Sequence, residues 1–178
     1  MFEHYLSLLY LTIPAFAANM IPIAAARINL WPHLAWPLDG GRTFRGHPIL
    51  GANKTFRGLL TGILLGIIIA LIQYFLPFFE LIKQPDILMT ILFGAAAGFG
   101  ALFGDGVASF FKRQLGVASG RPLIPLDQID YVLGFIICTI PFVSWALWDI
   151  LFLLVFAAIA NPIVNGTAYL LGIKKTYW

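Results

Sequence analysis

The chain has 178 residues, 60% of them hydrophobic and only 11% charged, with a mean hydropathy of +0.89 and a formal net charge of +3. This composition excludes an ordinary water-soluble domain and leaves room for one compact membrane bundle, without a second independent domain. The single cysteine, Cys138, excludes an intrachain disulfide and a cysteine metal cluster, and the modest positive charge fits membrane topology and phosphate partners better than nucleic acid.

Five apolar blocks predict an all-α, polytopic integral membrane protein with about five transmembrane helices and two functional cytoplasmic loops, one membrane-embedded domain over residues 1–178. The first block runs from Tyr5 to Ala26. Glu3 and His4 stand where a signal peptide would carry Lys or Arg, so a retained helix is expected, interrupted or bent by Pro14 and Pro22. The second, Leu59 to Phe79, holds no charged residue over a length that matches the ~20 residues needed to cross a ~30 Å hydrocarbon layer. The third runs from Ile87 to Phe111, the fourth from Tyr131 to Trp148 and the fifth from Ile150 to Ile173. Only Asp149 marks a turn between the last two, and one helix cannot absorb that whole stretch in a normal bilayer.

Positive charge orients the five spans. Of the 11 basic residues, all but Lys83 fall on one side: Arg27, Arg42, Arg45, Lys54 and Arg57 in the first long loop, Lys112, Arg113 and Arg121 in the second, Lys174 and Lys175 in the tail. The positive-inside rule puts both loops and the C-terminus in the cytoplasm and the N-terminus outside the cell membrane.

The first loop opens with Trp31-Pro-His-Leu-Ala-Trp36-Pro, an aromatic stretch suited to the membrane interface. His33 and His47 lack partner ligands at metal-binding spacing and are ordinary loop histidines. Two glycine-bounded runs follow, Asp39-Gly-Gly-Arg-Thr-Phe-Arg-Gly46 and Gly51-Ala-Asn53-Lys54-Thr-Phe-Arg57-Gly58. If the second helix starts near Asn53, then Lys54, Arg57 and the free N–H groups converge on a phosphate. The simpler account is a turn followed by positive-inside anchors. A Walker A run is absent.

Small residues from Gly94 to Gly104 let the third helix approach its neighbours closely. Asp105 comes next and is expensive at membrane depth unless it meets a polar cavity, a partner or a metal. Ser109 and Lys112 share its helical face and Arg113 is slightly displaced from it. Pro122 and Pro125 restrict the approach to Asp127 and Asp130, which are three apart at the expected start of the fourth helix. Those two acids either cap that helix or, with Asp105 and the neighbouring cations, hold a hard divalent metal such as Mg²⁺ on a phosphate. Glu3, Glu80, Asp86 and Asp149 belong to the opposite end.

Three carboxylates and several cations at a membrane interface suit phosphoryl or nucleotidyl transfer to a lipid phosphate. Ser109 has no activating base and fits a phosphate-binding role, not a covalent one.

The combined motifs DGGRTFRG, GANKTFRG, FGDGVASFFKRQLG and PLDQID resemble those of CDP-archaeol synthases, the compact branch of the CDP-diacylglycerol synthase-like membrane cytidylyltransferases. The larger relatives carry an Asp-x3-Ser-x2-Lys-Arg pattern before an acidic metal-binding segment. By this resemblance Asp105, Lys112, Arg113, Asp127 and Asp130 are catalytic, with Asp105, Asp127 and Asp130 as Mg²⁺ ligands, and Asn53, Lys54, Arg57 and Ser109 bind substrate. The His-Gly-Gly stretch of the larger relatives is absent between Arg121 and Asp127, which points to the compact branch. The resemblance implies transfer of CMP from CTP to 2,3-bis-O-(geranylgeranyl)-sn-glycerol 1-phosphate, releasing pyrophosphate. Activation of another lipid phosphate such as phosphatidic acid is the nearest alternative. A small transporter or a membrane adaptor fits less well, because the acids gather at one interface and the chain shows no internal repeat. Motif spacing sets no oligomeric state and leaves a homo-oligomer open.

Overall fold

A computed structural model describes residues 2–76, 86–118 and 121–170. Five helices alternate in direction: α1 (Phe2–Arg27), α2 (Phe56–Phe75), α3 (Ile87–Gln114), α4 (Leu126–Thr139) and α5 (Leu147–Leu170). Between α1 and α2 lie a short 3₁₀ turn (Pro32–Leu34) and a two-stranded antiparallel hairpin, β1 (Thr43–Phe44) with β2 (His47–Pro48), in which Thr43 faces Pro48 and Phe44 faces His47. The ends of the second and fifth apolar blocks, and with them Glu80, Lys83, Lys174 and Lys175, lie outside the described residues.

The bundle turns inside out relative to a soluble protein. Along α2, Leu60, Leu64, Ile68 and Ile72 repeat every helical turn and all face outward, a continuous apolar stripe that water would penalise and lipid tails would not. Among the described residues, four helices, α1, α2, α3 and α5, are long and apolar enough to cross a bilayer. The interior is built from small residues and a few rings: Ala15, Ala97, Ala101 and Ala157 are fully buried around Phe93 and Phe135, whose rings meet edge to face at 6.4 Å.

Helix α3 is the centre, packed on α1, α2 and α4. Its glycines set how near the neighbours come. A Cβ on Gly94 would lie 2.7 Å from Ile67 Cα, and one on Gly98 would lie 2.6 Å from the Gly62 carbonyl, so α2 and α3 touch backbone to backbone. The same holds against α4, where a Cβ on Gly104 would run into the Asp130 carbonyl and one on Gly134 would lie 2.7 Å from Gly104 N.

Three boundaries differ from those expected. Helix α1 continues without a break through Pro14 and Pro22. Pro14 is itself buried in the core, so neighbouring helices absorb the lost rung. Helix α4 spans 14 residues from Leu126 to Thr139 and is displaced toward the N-terminus of the block Tyr131–Trp148. Pro141 has no N–H with which to continue it. The chain turns instead on the Thr139 carbonyl, which accepts from Phe142 N at 2.9 Å and Val143 N at 3.0 Å. The turn between the last helices therefore precedes Asp149, which sits buried in the first turn of α5. The Asp149 carboxylate accepts from Ala146 N at 3.3 Å and lies 2.7 Å from His4 Nε2, joining the start of α5 to the start of α1. At that same end Asp86 caps α3 by accepting from Met89 N at 2.8 Å.

Gly104 and Gly106 make a matched test of this packing, because a Cβ at Gly106 meets nothing within 4 Å. Gly104→Ala is expected to cost about 1–3 kcal/mol through overpacking, and Gly106→Ala to be neutral or to add about 0.5–1 kcal/mol of helix stability. Thermal unfolding of the two purified variants in detergent checks the contrast.

Candidate active site

The chemistry-bearing residues collect at the bundle end where α1 and α3 finish and α2 and α4 begin. The first loop is folded down onto this end by an antiparallel bridge between Pro37 and Thr55, with Leu38 N donating to the Lys54 carbonyl at 2.7 Å and Phe56 N to the Trp36 carbonyl at 3.0 Å. Asp39 is its anchor: one carboxylate oxygen accepts from Gly41 N at 2.9 Å, the other from Leu50 N at 2.8 Å and Gly51 N at 3.1 Å. Partial burial pushes this carboxyl up, but the three backbone donors outweigh it and hold its pKa below the ordinary value. The sequence assigned Asp39 no role; the Asp-Gly-Gly turn was its only signal.

This anchoring delivers Lys54 to α3, where its ammonium pairs with Asp105 Oδ2. Two turns further along α3, Lys112 Nζ reaches across to Asp127 Oδ2 at 2.5 Å. Asp127 Oδ2 also accepts from Leu123 N at 3.0 Å, which closes the proline-bounded connection onto the first turn of α4. Asp130, one turn deeper, is 6% exposed and accepts from Tyr131 N at 2.6 Å. It lies within electrostatic range of Asp105, Asp127 and Lys54. Asp105 and Asp127 thus both act electrostatically on Asp130, though the three acids do not form a three-ligand cluster, and Ser109 is buried on α3 between the positions of Asp105 and Lys112.

Other predicted residues sit differently. Helix α2 begins at Phe56 rather than near Asn53, because Thr55 caps it by accepting from Gly58 N at 3.1 Å. Arg57 therefore lies within the first turn, and its guanidinium reaches back 3.4 Å to Asn29 Oδ1 and 3.4 Å to the Leu30 carbonyl at the end of α1. Lys54 and Arg57 thus engage different partners. Asn53 is exposed on the loop before Lys54. Arg113 is buried and donates from one Nη to the Val117 carbonyl in the turn that ends α3, while its Nε, near Gly51, has no hydrogen-bond partner among the described residues. It lines an open cavity of about 320 Å³ between the hairpin and that turn, with His47 and Pro48 opposite.

Two side chains with no predicted role also reach the site. Asn161 on α5 donates from Nδ2 to the Asp127 carbonyl at 2.9 Å and to the Gln128 carbonyl at 3.4 Å, and Asn165 Nδ2 donates to Asn161 Oδ1 at 2.9 Å. Their signal in the sequence was a pair of amides four apart in an otherwise apolar span. Both line an open cavity of about 180 Å³ with Lys112, Arg121, Asp127 and Gln128.

Among the described residues no three His, Cys, Asp or Glu side chains form a ready metal cage. The donors still suit Mg²⁺, which takes hard oxygens and commonly uses one or two carboxylates together with substrate phosphates. Asp105 and Asp127 are each paired with a lysine.

Outward apolar faces around a carboxylate and lysine cluster at one end define a polytopic membrane protein built to handle a charged group beside the bilayer. The CarS-like family, described as CDP-archaeol synthase, matches residues 1–178. The CDP-archaeol synthase of Thermococcus gammatolerans is 34% identical over 96% of this chain and 94% of its own length, and that of Methanosarcina mazei is 34% identical over 93% and 99%. A solved structure described as an intramembrane enzyme for archaeal membrane lipid biosynthesis superposes with a TM-score of 0.71 at 30% identity, covering 93% of this chain and 94% of that one. The chain belongs to the CDP-archaeol synthase family, a family of membrane enzymes.

Asp39 yields a pH prediction. Because its native pKa is lowered, the anchor contributes stability above the unfolded value of about 3.9 and loses it as pH falls through the native pKa. Asp39→Asn should expose the first loop to limited proteolysis at neutral pH. The difference from wild type should vanish in acid, below both values.

Proposed function

We propose that this protein is a CTP-dependent cytidylyltransferase that transfers CMP to 2,3-bis-O-(geranylgeranyl)-sn-glycerol 1-phosphate, giving CDP-archaeol and pyrophosphate. The observation that carries the reading is the meeting of Asp105, Asp127 and Asp130 with Lys54 and Lys112 at one end of a lipid-facing bundle, in a chain of this family. By the positive-inside rule the basic residues of both loops favour a cytoplasmic site, on the side of CTP, with the N-terminus outside the cell membrane.

In the reaction a lipid phosphate oxygen attacks the α-phosphorus of CTP, a new P–O bond forms, and the bond to the β-phosphate breaks to release pyrophosphate. The nucleophile is already an anion, so the chief task is bringing two anions together in line. Lys54 and Lys112, drawn from different elements, are placed to neutralise phosphate oxygens from two sides. Ser109 offers a hydroxyl between them. Asp105 with Asp127 or Asp130 would hold Mg²⁺, which when bound supplies charge stabilisation on the phosphate oxygens. Arg113 would act beside Lys112 on phosphate, and Asn53 and Arg57 would contact substrate, while Arg57 and Arg113 also tie down the chain at the ends of α1 and α3.

Purified protein is to be incubated with matched ether and ester lipid phosphates, each of the four nucleoside triphosphates, and Mg²⁺. The expected result is a CDP-lipid from CTP, with the ether lipid preferred and pyrophosphate released in equal amount. Absence of a CDP-lipid from every acid tested overturns the assignment. Asp105→Asn is expected to lower turnover about 100-fold or more while membrane insertion is retained. Wild-type turnover in a folded Asp105→Asn protein would refute the metal role of Asp105.

A further inference from the structure

Helix α5 is the element least needed by the reaction as described, yet it holds the first turn of α4 by polar contacts. Asn161 Nδ2 donates to the main-chain carbonyls of Asp127 and Gln128, at 2.9 and 3.4 Å, and its Oδ1 accepts from Asn165 Nδ2 at 2.9 Å. Carbonyl oxygens have two lone pairs, so these bonds can form alongside helical ones. The order of the amides fixes the direction. Asn165 orients Asn161, and Asn161 presents both donors to α4.

The turn so gripped is the one that carries Asp127, whose carboxylate meets Lys112, and Asp130 lies one turn beyond. Beside these contacts a cavity of about 180 Å³ opens, bordered by Asn161, Pro162 and Asn165 of α5 and by Ile124, Asp127 and Gln128. Hydrogen bonds cross where side chains do not fill. Removing them lets the turn shift into free space, carrying two carboxylates with it. In a span surrounded by lipid, moreover, an amide without partners is costly, so this pair is held closely to its acceptors.

We infer that Asn161, braced by Asn165, is a positioning residue that sets where Asp127 and Asp130 present their carboxylates. The inference rests on the reading of that cluster as the reaction site. Residues that orient metal ligands through hydrogen bonds typically change metal affinity or activity by about 10–100-fold when removed.

The test uses the full chain in detergent with Asn161→Leu, which keeps the branched side-chain shape and removes the donors, and Asn165→Leu, which releases the brace. Thermal midpoint, kcat and KM for CTP are measured with Mg²⁺, and Mn²⁺ binding is titrated by electron paramagnetic resonance with CTP present and lipid absent. Asn161→Leu is expected to lower kcat and weaken Mn²⁺ binding, each by about 10-fold or more, with a thermal midpoint near that of wild type. Asn165→Leu should move both in the same direction by less. Wild-type kcat together with a wild-type Mn²⁺ titration in Asn161→Leu overturns the inference. So does a loss of turnover that only tracks the folded fraction, or failure of both variants to fold, since either makes the pair structural. If wild-type protein forms no CDP-lipid but Asn161→Leu still weakens Mn²⁺ binding, the positioning role stands and the assigned reaction falls.

Discussion

Everything at the site depends on how closely α3 and α4 approach. Gly104 lies against the Asp130 carbonyl, and Gly134 against the backbone of Gly104. Asp105 follows Gly104 directly, so the same contact that packs the helices also sets the separation of two carboxylates. A side chain at either glycine would have to push the helices apart, and the acids with them. In a membrane bundle, where lipid tails solvate apolar side chains as well as other helices do, such backbone contact is the main source of close and specific packing. Structural and chemical requirements therefore fall on the same residues.

Charge follows from that geometry. Three acids brought together at the end of an apolar bundle repel one another in a medium that screens poorly, and each needs a compensating group. Lys54 arrives from the first loop and Lys112 from α3 itself, while Asp130, the deepest, has a backbone N–H and neighbouring charge. Under the proposed reaction, a phosphate-bearing substrate would offer each lysine a new anion and leave its carboxylate free for a divalent cation. Such an exchange would keep the charge of the site nearly balanced as ligands enter.

How much of this could be read from the chain follows from the range of each interaction. Asp105, Ser109 and Lys112 were legible because a regular helix turns sequence spacing directly into a shared face, and the first turn of α4 was legible from the spacing of Asp127 and Asp130. Arg57 was not, because its partners at Asn29 and Leu30 lie across a folded loop, and spacing within α2 says nothing about them. The end of α4 was hidden because hydropathy runs unbroken past Thr139, whereas the helix is stopped by a missing N–H at Pro141. Asp149 looked like the natural turn residue, since a charge usually marks water. Its burial became understandable only with His4, the other end of the chain, beside it. Asn161 was hidden for the same reason, because its acceptors are backbone atoms of another helix.

The first loop shows why so short a chain can hold a composite site. Neither ion pair of the site has both charges on one element: Lys54 comes from the loop and Asp105 from α3, Lys112 from α3 and Asp127 from α4. The loop therefore cannot serve as a loose cover. It must have a defined height above α3, and Asp39 provides this by accepting three backbone hydrogens on both sides of the hairpin while the Pro37–Thr55 bridge joins the loop's two ends. Backbone donors near a carboxylate cost little entropy once the turn is formed, and they are insensitive to which side chains the hairpin exposes. A site built this way separates its two demands. Glycines in the bundle govern the spacing of the acids, and one carboxylate in the loop governs the reach of the lysine that answers them.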